Sequence, residues 1–559
     1  MDLSWSADTW LSEQYSTPLY VLGLFGPSSI EWLFIVIACL RTPIVTAGLY
    51  ERFEEFLAWA QVLKLKHLFT SSDKLEAILT ACILKELVLQ SIIVSGNIDE
   101  SIKESFGKLG TQVIKIEQLF VGDGKALSDF NDEHHPCFLS LTSGTTEPSR
   151  FCIVTQFNII GTLASVFHLA QDVSTEDSYL SYMNFSLLGN IIFIFLISIS
   201  GGNIGIAFDP LNFTQDAQIM KPTFLIMVPQ VLEYLYNGIK EKVAQLNGIS
   251  KSMFNKAFAS KLKKYEKTGE LRHKFWDSMV FKRIKNILGG NLKVIVMASA
   301  LSNRDMVRYL RIVLGCEVLE GYGMIECTVA SFCCYPGDSS TGVFGGPLLG
   351  YEVKLHYTGM LFDDQTHYYG ELMIKGPGLV QRYYGKPELL TSPTGWYSTG
   401  DLVSIVQETG ALKFIDRINF IYKSRSGRWI CTQKLEILYK ECKLVSQFLC
   451  IGDRKVEGIF AVIVPNQEFI SHKYKPSNYT AYCSSSEFKK ALMREFLVVE
   501  RIHKLQEHER ILDVFVETQK WAGDDVLTQT LKLRRYVLIE RYLEVLEKMR
   551  NEYLENSYN

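Results

Sequence analysis

The stretch Leu141-Thr142-Ser143-Gly144-Thr145-Thr146 sets hydroxyls and a glycine in a turn directly behind an apolar run. Such a turn suits phosphate: Ser and Thr supply O–H donors, Gly lets the main chain approach an anion, and successive N–H groups form an anion-binding concavity. Most Ser/Thr/Gly clusters are plain loops. The reading therefore depends on what surrounds this one.

Short apolar runs rich in β-formers recur at 21–25, 90–94, 112–116, 224–228, 293–297 and 317–320, each bounded by turn residues, with helical patterns between them. Buried parallel strands look like this, and their alternation with helices predicts α/β layers with ligands at the C-terminal ends of the strands. Gly342, Gly345, Gly346 and Pro347 punctuate a change to a more antiparallel, barrel-like segment reaching about residue 415. A small unit of mixed strands and helices follows. The expected architecture is a large N-terminal α/β domain over 1–418 and a small, mobile α+β C-terminal domain over 419–559. A chain of 559 residues is too long for one core.

Composition restricts the function classes. With 47% hydrophobic and 21% charged residues the chain is an ordinary globular protein, and a net charge of -3 argues against nucleic acid as partner. The 12 Cys are scattered without CxxC or Cys/His spacing, which suits a reduced, cytoplasmic protein. Residues 1–14 are polar and acidic, unlike a signal peptide. The apolar run 191–200 is about half of a membrane span and is interrupted by Asn190 and Gly201-Gly202, so a buried core element is expected. Segment 251–285 holds eleven Lys/Arg against three acids, a local net of +8, with Met253, Phe254, Phe258, Leu262 and Tyr265 at helical spacing. Two readings stand: a basic amphipathic helix peripheral on the cytosolic face of a membrane such as the endoplasmic reticulum, or a solvated face whose stripe packs on its own domain.

Further blocks follow in a fixed order. They are Glu320-Gly321-Tyr322-Gly323-Met324-Ile325-Glu326, Gly370-Glu371-Leu372-Met373-Ile374-Lys375-Gly376, Gly395-Trp396-Tyr397-Ser398-Thr399-Gly400-Asp401-Leu402, Asp416-Arg417, and Thr528-Gln529-Thr530-Leu531-Lys532-Leu533-Arg534-Arg535. With the opening turn these six blocks, spanning nearly the whole chain, resemble the adenylate-forming family of acyl-CoA synthetases, luciferases and peptide-synthetase adenylation domains. The similarity is greatest to the long-chain fatty acyl-CoA synthetases. The ungapped linker block 415–436, Lys221-Pro222-Thr223 with Val228-Pro229-Gln230, the helical segment 276–290 and the ending Leu531-Lys532-Leu533-Arg534-Arg535 all resemble that branch.

The resemblance implies activation of a fatty acid by ATP and Mg2+ through an acyl-adenylate, followed by transfer to coenzyme A. It implies that Thr142, Ser143, Gly144, Thr145, Thr146 and Arg150 wrap the phosphates. Gly321 and Tyr322 would take adenine, Glu326 magnesium, and Asp401 with Arg417 the ribose. Lys532 would meet the α-phosphate oxygen and the substrate carboxylate. A loop around Gly427 would serve the second half-reaction after a swing near Asn419. Taken singly, Glu326 reads as a carboxylate at a helix start, Asp401 as a turn residue and Lys532 as a solvated helix residue.

Departures from the family pattern keep two rival readings open. The phosphate loop continues as Glu147-Pro148-Ser149-Arg150-Phe151, losing two glycines and gaining a carboxylate near anionic phosphates. Ile325 replaces a Thr, Asn184-Phe185-Ser186-Leu187 replaces Pro-Leu-Ala-His, Ala298-Ser299-Ala300-Leu301 replaces Gly-Ala-Ala-Pro, and Asn419 replaces a charged hinge residue. One rival is a diverged, weakly active or inactive homologue that binds nucleotide or acyl-CoA. The other is an adenylating enzyme that loads a carrier protein.

Overall fold

The computed structural model describes residues 8–15, 18–49, 52–119, 132–145, 147–167, 173–207, 212–298, 303–360, 368–523, 525–528 and 532–558. Two seven-stranded sheets organise the first two thirds of the chain. In the first, Gln112–Lys115, Ser91–Ser95, His67–Ser71, Tyr20–Phe25, Ile44–Gly48, Pro136–Leu141 and Phe151–Thr155 lie in that spatial order, all parallel except the last. In the second, the order is Gly346–Pro347, Phe332–Cys333, Glu317–Tyr322, Val294–Ala298, Phe224–Met227, Ser178–Ser181 and Asn203–Ile206, with Phe332–Cys333 antiparallel to both of its neighbours and the other pairings parallel. The expected strands fall within two residues of these bounds.

Both faces of each sheet are covered, which is why the strands read as continuous apolar runs. Pro136–Leu141 and Phe151–Thr155 are buried at every residue. Helices Ile30–Cys39, Gln156–Phe167 and Leu188–Ile199 share one core with Leu22 and Phe138 of the first sheet and Tyr179 and Phe224 of the second. They form the middle layer of the sandwich. Helix Ile30–Cys39 begins where the Ser29 hydroxyl accepts the Trp32 N–H, a standard cap. The apolar run 191–200 has thus become a buried 12-residue helix, and no helix among the described residues is long and apolar enough to cross a membrane.

Outer helices close the sandwich, Phe53–Val62 on the first sheet and Pro229–Ala244 with Gly248–Thr268 on the second. The last of these carries the basic segment, and its stripe turns inward: Phe254 and Tyr265 are buried, with Phe258 and Leu262 packed beside them. Even Lys261 is inside, 2.5 Å from Asp277, which Lys285 approaches at 2.9 Å. The apolar stripe of that segment packs on its own core.

The antiparallel segment is a four-stranded sheet, Glu352–His356, Tyr368–Lys375, Tyr397–Ile405 and Leu412–Arg417. Leu412 exchanges hydrogen bonds with Phe344 and Gly345, joining it to the edge of the second sheet. Beyond it, Ile421–Lys423 and Trp429–Cys431 form a ribbon, and Val445–Gly452, Ile459–Pro465 and Ile511–Val516 a mixed sheet. Helices Thr432–Tyr439 and Ser486–His503 pack on one face of that sheet and Leu543–Tyr558 on the other.

Candidate active site

The loop 141–150 joins the two antiparallel strands at the edge of the first sheet, and its neck is tied twice. Thr142 N–H donates to the Arg150 carbonyl at 2.9 Å, and Arg150 N–H donates to the Thr142 hydroxyl at 3.0 Å. Gly144 has φ +62°, and a Cβ there would run into the Ser149 hydroxyl, so glycine is required on both counts. That hydroxyl is buried and makes no hydrogen bond among the described residues. Thr146 lies outside the described residues. Glu147 forms an ion pair with Arg150, whose guanidinium also lies 5.1 Å over the Tyr383 ring.

Strand Glu317–Tyr322 brings Gly321 and Tyr322 to a cavity below this loop. The Tyr322 ring stacks on Phe344 with centroids 4.7 Å apart, and its hydroxyl donates to Asp401 Oδ2 at 2.6 Å. Gly323 follows because any Cβ would strike the Val329 carbonyl. The turn Ile325–Cys327 then carries Ile325 and Glu326 into the cavity lining. Tyr383 O–H donates to Glu326 Oε1 at 2.8 Å, and Tyr397 hydrogen-bonds Tyr383 in turn.

Asp401 and Arg417 come from neighbouring antiparallel strands and are direct partners in the register, the position where opposite charges help each other. They lie 3.0 Å apart, Asp401 2% and Arg417 28% exposed. Burial raises the Asp401 carboxyl above its usual range, and the Arg417 charge opposes that rise. Asp416, one residue earlier, turns the other way and accepts the Gln433 N–H at 2.9 Å near the start of helix Thr432–Tyr439. Burial lifts it to about 7 against the pull of Arg535.

Lys532 arrives on a turn after strand Ile511–Val516. Its N–H donates to the Thr528 hydroxyl at 3.1 Å, its carbonyl accepts the Thr528 N–H at 2.8 Å, and both residues line the cavity. Burial, followed by repulsion from Arg417, lowers the Lys532 ammonium to about 8, with Asp401 pulling the other way. Arg535 turns to helix Thr432–Tyr439 and strand Val445–Gly452, donating to the Thr432 hydroxyl at 3.0 Å and the Cys450 carbonyl at 3.1 Å and pairing with Glu436.

One cavity of about 600 Å³ gathers Thr142, Ser143, Gly144, Thr145, Arg150, Gly321, Tyr322, Glu326, Arg417, Asn419 and Lys532. The same cavity is lined by apolar side chains: Ile192, Phe193 and Leu196 from helix Leu188–Ile199, and Phe224, Val294 and Leu319 from the second sheet. Asp401 is tied to it through Tyr322 and Arg417. Gly427 is not part of it: it sits exposed, with φ +85°, in the turn between Ile421–Lys423 and Trp429–Cys431. Ser299, Ala300 and Leu301 lie outside the described residues. Sequence reasoning overlooked Tyr383 and Tyr397. Tyr397 stands inside a block already singled out, whereas Tyr383 has no local signal.

Residues 16–384 match the AMP-binding enzyme family, and the chain belongs to it. Over 94% of its length it is 27% identical to long chain acyl-CoA synthetase 3 of Arabidopsis thaliana, covering 82% of that protein. It is 26% identical, over 94% of its length, to long-chain-fatty-acid–CoA ligase 6 of Homo sapiens, covering 78% of it. Among solved structures, 98% of the chain superposes on 83% of the adenylation domain of a carboxylate reductase from Mycobacterium chelonae, at TM-score 0.73 and 20% identity. O-succinylbenzoate coenzyme A synthetase of Bacillus subtilis, in complex with ATP and magnesium ion, shares the fold at TM-score 0.58 and 16% identity, over 95% of this chain and 92% of that one.

Proposed function

We propose that this member of the AMP-binding enzyme family activates a long-chain fatty acid with ATP through an acyl-adenylate and passes the acyl group to coenzyme A. The observation that carries the reading is a cavity in which the loop between Leu141 and Phe151, Tyr322, Glu326, Arg417 and Lys532 stand beside an apolar lining. Similarity to the long-chain synthetases supports the acid class.

In the first half-reaction a carboxylate oxygen attacks the α-phosphorus of ATP and the bond to pyrophosphate breaks. Thr142, Ser143, Gly144, Thr145 and Thr146 hold the leaving phosphates through N–H and hydroxyl donors, and Arg150 adds a cation by exchanging Glu147 for them. Tyr322, backed by Phe344, stacks on adenine beside Gly321, while Asp401 and Arg417 take the ribose. Lys532 meets the α-phosphate oxygen and the incoming carboxylate. Glu326, oriented by Tyr383, fits as a ligand for Mg2+. Among the described residues no three His, Cys, Asp or Glu gather to hold a metal, and Mg2+ commonly takes one or two carboxylates plus substrate phosphates. When bound, that ion neutralises phosphate charge.

In the second half-reaction the thiol of coenzyme A attacks the adenylate carbonyl and AMP leaves. The unit 419–559 turns about the region of Asn419, withdrawing Lys532 and bringing the turn at Gly427 to the cavity. The basic segment 251–285 meets an anionic cytosolic membrane surface through its charged outer face alone. Because its apolar stripe is buried, that contact is electrostatic and weakens with salt.

Purified protein given ATP, Mg2+ and acids from octanoate to oleate should release pyrophosphate and form acyl-AMP, then acyl-CoA once coenzyme A is added. Transfer only to a carrier protein would favour the carrier-loading reading. Absence of acyl-AMP with every acid, in folded protein that binds ATP, would overturn the proposal.

A further inference from the structure

The backbone that carries Lys532 is gripped from the opposite end of the sequence. Arg534 Nη2 lies 3.1 Å from Glu55 Oε1, with the two side chains 14% and 20% exposed. The N–H of Arg535 donates to the Thr145 carbonyl at 3.2 Å, inside the phosphate loop. Glu55 occupies the first turn of helix Phe53–Val62, where the helix dipole favours a carboxylate, and Phe56 and Ala60 bury that helix in the core of the first sheet. The anchor is therefore rigid. On the other side, the Leu527–Leu533 bridge and the paired Thr528 and Lys532 bonds close the turn, so fixing residues 534 and 535 fixes the backbone of Lys532.

We propose that Glu55 is a positioning residue for adenylation: its carboxylate pins Arg534, and Arg534 sets Lys532 over the cavity. The proposal rests on the role given to Lys532 above. Arg534 and Arg535 divide the labour. Arg535 is buried against Glu436, Thr432 and Cys450 and ties helix Thr432–Tyr439 to strand Val445–Gly452. Arg534 reaches across, and its Nε makes no hydrogen bond among the described residues. An arginine held at one corner can let go, which the second half-reaction requires. The Thr145 carbonyl makes the phosphate loop the second half of the grip, so the contents of that loop and the seating of Lys532 are linked.

Glu55→Gln and Arg534→Gln test this with two readouts. Amide hydrogen exchange, which needs no catalysis, should quicken about tenfold at 532–535 and stay unchanged in the first sheet, as expected for loss of one charged hydrogen bond. In single-turnover experiments with ATP and palmitate, acyl-AMP formation should slow about tenfold with the KM for ATP unchanged. Thioester formation from supplied palmitoyl-adenylate should hold or quicken. The reversed pair, Glu55→Arg with Arg534→Glu, should restore both readouts. Unchanged exchange at 532–535, or equal losses in both half-reactions, would overturn the proposal. If the wild type makes no acyl-AMP from any acid, the functional reading has failed instead, and the exchange arm alone decides whether Glu55 holds the turn.

Discussion

Asp401 and Lys532 stand at the same cavity and are held in opposite ways. Asp401 lies within a nine-residue strand with a hydrogen-bonded neighbour on each side, opposite Arg417 in register and bonded by the Tyr322 hydroxyl. Lys532 lies outside any strand, and among the described residues the backbone that carries it is tied to the first part of the chain by the Glu55 side chain and the Thr145 carbonyl. Groups within a paired strand are fixed before any ligand arrives, while a segment outside the strands, tied by polar contacts, belongs to the low-stability end of a structure. Under the proposed function, the difference teaches that the groups assigned to the nucleotide are part of the sheet, whereas the ammonium is delivered to it.

The strongest way to break this comparison is Lys532→Ala. Loss of a preorganised donor should slow acyl-AMP formation by about 10²- to 10³-fold, while transfer from supplied acyl-adenylate to coenzyme A stays within about threefold. Equal loss of both half-reactions in folded protein would mean that Lys532 is as fixed as Asp401. Asp401→Ala should do the reverse, weakening ATP use by about 30-fold, the worth of a charged hydrogen bond of about 2 kcal/mol, and lowering the thermal midpoint because Arg417 loses its partner. A midpoint identical to wild type would show that the cross-strand pair has no part in holding the sheet.

Titration sharpens the contrast. The Lys532 ammonium is lowered to about 8, chiefly by burial, so above that pH the charged form is lost. The kcat/KM for adenylation should fall about tenfold per pH unit above pH 8, while thioester formation shows no such break. Between pH 8 and the ordinary lysine value the unfolded chain binds the extra proton, so this group makes the fold more stable as pH rises even as activity declines. A flat adenylation profile to pH 9.5 would remove Lys532 from the free-enzyme step. The smallest effect is expected at the loop. Glu147 and Arg150 are both exposed, and such pairs are worth about 0.5 kcal/mol. Glu147→Gln should release Arg150 and lower the KM for ATP about twofold to threefold. A rise in KM relieved by high magnesium would make Glu147 a metal ligand.

The layered fold was legible because buried parallel strands are short apolar runs between turns, and 21–25, 112–116 and 317–320 all met that description. Much of the cavity was legible because its residues stand in compact blocks with Gly at the turns, as at Gly144 and Gly323. What escaped was contact between distant segments. Glu55 and Arg534 are 479 positions apart, and Tyr383 meets Glu326 across 57, and neither pairing leaves a periodicity or motif at either end. The basic segment shows a different limit: helical spacing revealed an apolar stripe at Phe254, Phe258 and Tyr265, but spacing does not say what the stripe packs against. The structure sets it against helix Arg304–Leu310 and the second sheet.

All seven strands of the first sheet lie between Tyr20 and Thr155, whereas one of the helices that cover its inner face, Leu188–Ile199, comes 33 residues after the last of them ends. During synthesis at about 5–20 residues per second, the sheet is complete some 2 to 9 s before that helix is finished. For that interval a nascent chain presents a finished sheet with part of an apolar face uncovered, and the missing cover is itself the most apolar helix still to come. Translational pausing between residues 155 and 199 therefore lengthens a period in which this fold is sticky, and a chaperone that binds ribosome-attached chains has a target there.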